Sequence, residues 1–283
     1  MEIKPDCLPC VLSQAIKASK IATGDVNIQQ LILDETINLI EKYKAYKNPA
    51  DMGRDMHLIV KKHSKLFDPY IKIKQDNITE ALEVYGYLKS FLLQKQNDIV
   101  WALKIAATGN YLDSTIYSNL DVKTCIEQEL HRDFSICDVE IFSDKLSQAK
   151  KILFIGDNAG ETVFDRILIE SIKDKDITYA VRHEPIINDI TMEEAYLTGI
   201  DACAKIITTG CNAPGVLFNE CSEEFLETYL EADIVLSKGQ GNYESLSEDS
   251  RDIFFLLKAK CPVIAKAFGK DLNDYIFKYK SKV

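Results

Sequence analysis

Four short segments of this 283-residue chain carry side chains suited to binding a metal ion and a phosphate. They are Gly156-Asp157-Asn158-Ala159-Gly160-Glu161, the run from Arg182 through His183 to Asn188-Asp189, the run from Thr208 to Gly215, and Lys238-Gly239-Gln240-Gly241-Asn242-Tyr243-Glu244. Asp157, Asn158 and Asp189 offer carboxylate and amide oxygens, the hard donors that Mg²⁺ and Mn²⁺ take. Asp189 lies 32 residues after Asp157, the length of one βα unit, so both belong on neighbouring strand ends. Gly160 lets a helix start tightly at Glu161 and turn backbone N–H groups toward an anion. Lys238 ahead of a Gly-Gln-Gly turn supplies an ammonium and backbone donors for phosphate, and Arg182 a forked contact. Each segment alone also has an ordinary reading. Asp157 or Asn158 could cap a helix, Asn188-Asp189 could cap another, and Gly239-Gln240-Gly241 could be a plain turn. The recurrence of such loops after successive β-rich runs is what favours a shared metal–phosphate site.

Other reactive types are less organised. Cys7-Leu8-Pro9-Cys10 admits a redox pair, half a metal site or an incidental role, and no strand precedes it as redox pairs require. Cys125 and Cys137 lack the paired spacing that would complete four ligands. Cys203, Cys211, Cys221 and Cys261 read as small buried hydrophobes. Of the four histidines only His183 lies near the four segments, and it reads as a bystander. Gly109-Asn110 with Asp113 reads as a helix end and turn.

The elements that must position these residues divide the chain near residue 150. Before it, apolar residues recur at helical spacing (Val11, Leu12, Ala15, Ile16; Leu31, Ile32, Ile37, Leu39, Ile40; Ala81, Leu82, Val84, Tyr85, Leu88, Phe91, Leu92), with no alternating strand pattern. Asn97-Asp98 reads as the cap of a further helix. After it, β-rich runs at 152–156, 177–182, 204–209, 233–237 and 261–265 alternate with helical pieces, which implies a mainly parallel sheet covered on both faces. The expected architecture is α/β: a helical N-terminal lobe over residues 1–150, packed on a three-layer α/β/α sandwich with a mainly parallel sheet over 151–283. In open parallel sheets ligands bind beyond the carboxyl ends of the strands, where all four loops would gather.

Composition narrows the class. Hydrophobic residues make up 46% and charged ones 28%, as in globular proteins. With 44 acidic and 34 basic side chains the net charge is −10, which argues against nucleic acid or an anionic membrane as partner, since both demand clustered Lys and Arg. Residues 151–283 hold −8 of that charge and residues 1–150 only −2. No apolar run approaches the roughly 20 residues of a membrane helix, and MEIKPDCLPC shows no secretory signal, so a cytoplasmic protein with mostly reduced thiols is expected.

The segments GDNAGETVFDRILIE, RHEPIINDIT and KGQGNYESL, with CLPC ahead of them and ATGNYLD between, resemble the damage-control phosphatase family, once catalogued as a domain of unknown function (number 89). The likeness runs from residue 7 to about 268 and is strongest to the prokaryotic subfamily with an N-terminal CxxC. It implies a helical N-terminal region before an α/β/α sandwich, and a metal-dependent phosphatase of small phosphorylated metabolites, often damaged or overflow products. It also implies Asp157, Asn158 and Asp189 as ligands of a divalent ion (Mn²⁺, Ni²⁺, Co²⁺ or Mg²⁺). Lys238 with Gly239, Gln240, Gly241 and Asn242 falls where relatives hold phosphate or substrate. On this reading Asp157, Asp189 and Lys238 are catalytic, Arg182 stabilises transferred charge, and Glu161 is a general base or water-positioning group. Direct attack by Asp157 and attack by water stay open, as do substrate, physiological metal and oligomeric state. Two other readings stand beside it: an adenosylmethionine-dependent carboxyl methyltransferase, disfavoured by the missing glycine-rich loop, and a protein that binds metal and phosphometabolite without turnover.

Overall fold

The structure is a computed structural model that describes residues 1–110 and 122–282. Its helical N-terminal region opens with α1 (Cys7–Ala22), α2 (Val26–Glu41) and α3 (Pro49–Ser64). Local chemistry fixes their starts. Asp25 accepts a hydrogen bond from the Asn27 N–H, Asn48 accepts one from Asp51, and Pro49 opens α3 where a missing N–H costs nothing. The three helices bury Val11, Ala15, Ile32, Met52, Met56 and Val60 in a core of their own. Then come α4 (Ile71–Gln94), α5 (Ile99–Thr108) and α6 (Val122–Leu130). Asp98 caps α5 by accepting from the Val100 and Trp101 N–H groups.

The rest alternates strand and helix: β1 (Phe134–Cys137), α7 (Val139–Gln148), β2 (Lys151–Ile155), α8 (Thr162–Ser171), β3 (Asp176–Val181), α9 (Met192–Leu197), β4 (Lys205–Thr208), α10 (Glu223–Glu231), β5 (Ile234–Lys238), α11 (Gln240–Leu246), β6 (Ile253–Lys258), α12 (Pro262–Phe268) and β7 (Tyr275–Lys280). The seven strands form one sheet in the order β1-β7-β6-β5-β2-β3-β4. Strands β2 to β6 are parallel, β7 is antiparallel to β6, and β1 is parallel to β7. Both faces are buried, as parallel sheets require. In β2, Ile152 and Phe154 face the layer that includes Leu103, Phe164 and Leu168, while Leu153 and Ile155 face Phe225, Tyr229 and Ile264. The three-layer α/β/α architecture with a helical N-terminal region is therefore as expected.

Three details differ from the sequence reading. Strand β1 and helix α7 precede residue 150, and Phe142 of α7 stacks edge-on against Phe254 and Phe277 of the sheet, so the sheet recruits chain from both sides of that position. Residues 261–265 begin a helix, not a strand, because Pro262 starts it and Gly269, at φ +62°, stops it. The strand of that unit is the apolar run just before, Ile253–Lys258. Among the described residues no helix is long and apolar enough to cross a membrane.

Candidate active site

The strand order reverses at one place. From β2 the chain builds outward through β3 and β4, then returns to lay β5 against the other side of β2. Ligand crevices form at such switch points, beyond the carboxyl ends of the strands. Asp157 follows β2 there, and Gly239 follows β5. The two touch: an ideal Cβ on Gly239 would lie 2.0 Å from Asp157 Oδ2, so only a residue without a side chain admits the carboxylate. Gly239 also has φ +79° and ψ 167°, a region essentially closed to other residues.

Asp189 is brought alongside by backbone pairing. Asn158 and Asp189 form an isolated antiparallel bridge, the Ile190 N–H donates to Asp157 O at 2.8 Å, and the Ala159 N–H donates to Asn188 O at 2.9 Å. The loop before Asp189 is held from the helical region. Lys61 Nζ of α3 donates to Pro185 O at 2.6 Å, and Ile187 packs on the α1–α3 core with φ +47°, an unusual backbone for a β-branched residue. Behind it, buried Lys74 of α4 bridges Asp68 (2.6 Å) and Glu194, whose carboxylate completes a capping box with Thr191.

Asp157, Asn158, Glu161, Arg182, Asp189 and Lys238 are all buried at this point. Asn158 Nδ2 donates to Glu161 Oε1 (2.7 Å) and to Asp157 Oδ2 (3.2 Å), which leaves its Oδ1 as the donor atom for a cation. Glu161 Oε2 accepts from Asn110 Nδ2 (2.8 Å) and Lys238 Nζ (3.2 Å). Lys238 Nζ also donates to Asp165 Oδ1 (2.5 Å) and Ala106 O (3.1 Å), and Tyr179 Oη donates to Asp165 Oδ2 (2.8 Å). Burial alone would discharge Lys238, but Asp165 and Glu161 more than offset it and hold its pKa above the usual value. Arg182 Nε donates to Asp189 Oδ2 at 2.8 Å, and its terminal nitrogen to Pro214 O (3.0 Å) and Asn242 Oδ1 (3.1 Å). Burial pushes the Asp157 carboxyl well above its usual range, Glu161 and Asp189 push it further, and Lys260 and Arg182 pull against them.

This arrangement fits a divalent cation. Three buried carboxyl groups (Asp157, Glu161, Asp189) stand close enough to repel one another, and the donors are hard oxygens. Asn110 Oδ1, on the residue that holds Glu161, is buried without a hydrogen-bond partner among the described residues. Asp157, Asn158 and Asp189 are the side chains that would hold such an ion, and Glu161 accepts from the Asn158 amide.

The structure gives several predicted substrate contacts a different occupation. Lys238 lies inside the network on the α8 side rather than at an opening, because β5 alternation puts it on the face of Ile234 and Leu236. Asn242 Nδ2 ties Gly156 O (3.0 Å) to Lys238 O (2.8 Å), joining the ends of β2 and β5. Gln240 Nε2 donates to Glu244 Oε1 (3.0 Å) and toward Cys261 Sγ (3.4 Å), while its Oε1 accepts from the Lys260 N–H (3.2 Å). Gly241 abuts the Pro214 carbonyl. Gln240, Gly241 and Asn242 form the first turn of α11 rather than a free turn. Gly160 serves close packing of α4, since a Cβ there would meet Asn77 Cβ at 2.9 Å. Asp113 lies outside the described residues. Cys7 starts α1 and is buried, which raises its thiol pKa, and the neighbouring Glu244 adds to the rise. All eight cysteines are free thiols.

Sequence reasoning missed Asp165, Tyr179 and Lys260, and read Asn110 as a helix end rather than as the partner of Glu161. Asp165 was findable: it stands one helical turn after Glu161, so both acids share the face of α8 turned to the sheet. Lys260, two residues beyond β6, carries no comparable pattern.

Comparison with known proteins agrees with this geometry. Residues 3–276 match the family model described as the damage-control phosphatase ARMT1-like domain. A damage-control phosphatase of Pyrococcus horikoshii is 36% identical over 94% of both chains, and one of Archaeoglobus fulgidus is 29% identical over 98% of this chain and 99% of that one. An uncharacterised protein of Methanocaldococcus jannaschii is 38% identical over 98% of this chain and 95% of its own. The crystal structure of a DUF89 family protein from P. horikoshii superposes with a TM-score of 0.88 at 33% identity, covering 98% of each chain. With its sheet, its switch-point carboxylates and this end-to-end similarity, the chain belongs to the damage-control phosphatase ARMT1-like family.

Proposed function

We propose that this protein is a metal-dependent phosphomonoester hydrolase acting on small phosphorylated metabolites, of the subfamily whose N-terminus carries CxxC. The observation that carries the reading is the meeting of Asp157, Asn158 and Asp189 at the switch point, buried, with more negative charge than their cationic neighbours offset. These three residues would hold a Mn²⁺, Ni²⁺, Co²⁺ or Mg²⁺ ion, which when bound polarises the phosphoryl group and draws off its charge. The chain's own residues do the positioning. Glu161 turns the Asn158 amide so that its oxygen faces away from the carboxylate, and Lys238 holds the other Glu161 oxygen in place while it does so. Arg182 fixes the Asp189 carboxylate and offsets its charge. Gly239 lets the β5 loop close on Asp157, which narrows the space open to water. In the net reaction water oxygen forms the new bond to phosphorus and the ester oxygen leaves as the alcohol.

The test is substitution of each acid in turn. Asp157→Ala and Asp189→Ala are expected to fold and to lose turnover of an aryl phosphate in the presence of each ion. Metal-dependent phosphate release retained by both variants would overturn the reading.

A further inference from the structure

We propose that the side-chain oxygen of Asn110 is the acceptor that orients the attacking water, so that Asn110 takes the water-positioning role the sequence reading offers to Glu161. The assignment rests on the phosphatase reading above and adds the group that aims the nucleophile. Phosphoryl transfer to water asks little covalent chemistry of the protein and much positioning, and a carboxamide oxygen that takes one O–H of the water can supply it. In that step the water oxygen provides the electron pair of the new P–O bond, and the ester oxygen leaves with the pair of the broken one. One water proton ends on the alcohol and the other on the phosphate.

Glu161 stands close by but is already engaged. Its Oε1 accepts from Asn158 Nδ2 (2.7 Å), and its Oε2 from both Asn110 Nδ2 (2.8 Å) and Lys238 Nζ (3.2 Å). It grips two carboxamides by their NH₂ groups, which turns both amide oxygens away from it. The Asn158 oxygen is the one proposed for the ion. The Asn110 oxygen is buried and has no hydrogen-bond partner among the described residues. Chemistry fixes which amide atom is which, since exchanging them would set an oxygen lone pair against the Glu161 carboxylate. A buried acceptor without a donor is costly, so this oxygen is matched to a donor from outside the chain, and water is the small donor that the reaction itself consumes. The backbone holds Asn110 in place. Residue 109 is glycine where α5 ends against α8: a Cβ there would lie 3.1 Å from Glu161 Cα and 3.2 Å from the Phe164 ring. Lys238 Nζ ties the same helix end to β5 through the Ala106 carbonyl (3.1 Å). Asn110 is thus anchored where α5, α8 and β5 meet, and its oxygen is set before substrate arrives.

The experiment compares Asn110→Ala and Asn110→Ser with the parent, as full chains whose folding is checked by denaturant titration. Two things are read: kcat and KM for an aryl phosphate at saturating Mn²⁺, and calorimetric affinity for Mn²⁺ without substrate. Asn110→Ala is expected to lower kcat by about tenfold to a hundredfold, while KM and Mn²⁺ affinity stay within about threefold of the parent. Asn110→Ser, whose hydroxyl keeps an acceptor, should recover part of the loss. A folded Asn110→Ala with kcat within about twofold of the parent overturns the assignment. So does a fall in kcat that follows a fall in Mn²⁺ affinity and is reversed by more ion, which would make Asn110 only an anchor for Glu161. Loss of folding in both variants overturns it too, by making Asn110 a structural residue. A parent protein that releases no phosphate with Mn²⁺, Mg²⁺, Co²⁺ or Ni²⁺ overturns the phosphatase reading, and this assignment with it.

Discussion

Gly239→Ala puts the geometry of the site to a quantitative test. The added Cβ would stand 2.0 Å from Asp157 Oδ2 and 2.1 Å from its Cγ, where ordinary contact begins at 3.4 Å. The carboxylate or the loop must therefore yield by about 1.4 Å (3.4 − 2.0). Asp157 is hemmed in by Asn158 and by the Asp189 strand, so the movement displaces a proposed ligand rather than a loose side chain. The backbone adds strain, because φ +79° with ψ 167° costs a non-glycine residue of order 1–3 kcal/mol. That is a fraction of the ~5–15 kcal/mol that holds a domain folded, so the variant should fold. A misplacement of roughly 1 Å in a reacting constellation costs about a hundredfold in rate, the loss expected in kcat/KM. Denaturant titration and phosphate-release kinetics on the same preparation measure both terms. A folded Gly239→Ala within a few-fold of the parent in kcat/KM would refute the claim that Asp157 must lie against a bare Cα.

Two other perturbations follow from the buried charges. Lys238→Met leaves Glu161 and Asp165 facing each other without their cation, and should destabilise the fold by about 3–5 kcal/mol, as read from denaturant midpoints; a loss below 1 kcal/mol would mean that Lys238 is not the keystone of that network. His57 is buried in α3 with Nε2 unpartnered, and burial, helped by Lys61, lowers its pKa from 6.5 to about 3. Above pH 6.5 neither the folded nor the unfolded chain protonates it; as pH falls from there toward 3 only the unfolded chain does, so stability drops by about 1.4 kcal/mol per pH unit. His57→Phe should remove one proton's worth of that slope, and an unchanged slope would show that His57 is protonated in the fold.

The architecture was readable from sequence because its signals are local. The run KILFIGDNAGE announces strand, loop and helix by composition alone, and the same grammar at β3, β4 and β5 places the loops on one edge. That Asp157, Asn158 and Asp189 come together was readable for the same reason: strand ends in one parallel sheet must gather. Strands β1 and β7 were not, since β1 at the sheet edge and β7 beside it show neither a long apolar run nor clean alternation in sequence, and FSIC and YIFKYK could be either. What sequence withholds most is the engagement of polar side chains. Lys238 at a strand end looks the same whether it faces solvent or lies under α8. Only the pairing with Asp165, set by how α8 packs, decides it. Asn242 likewise reads as a loop donor until the Gly156 and Lys238 carbonyls are seen beside it. The glycine at 239 signalled a turn, but not that its neighbour in space is a carboxylate.

The central claim is that the switch-point acids support hydrolysis of a phosphate ester through a bound divalent ion. Its most direct test is phosphate release from an aryl phosphate by chelator-stripped protein, with Mg²⁺, Mn²⁺, Co²⁺ or Ni²⁺ restored one at a time, beside Asp157→Ala. Release that is absent without metal, returns with at least one ion and vanishes in the variant is the predicted result. Folded protein that releases no phosphate with any ion, or releases it equally after stripping, would contradict the claim.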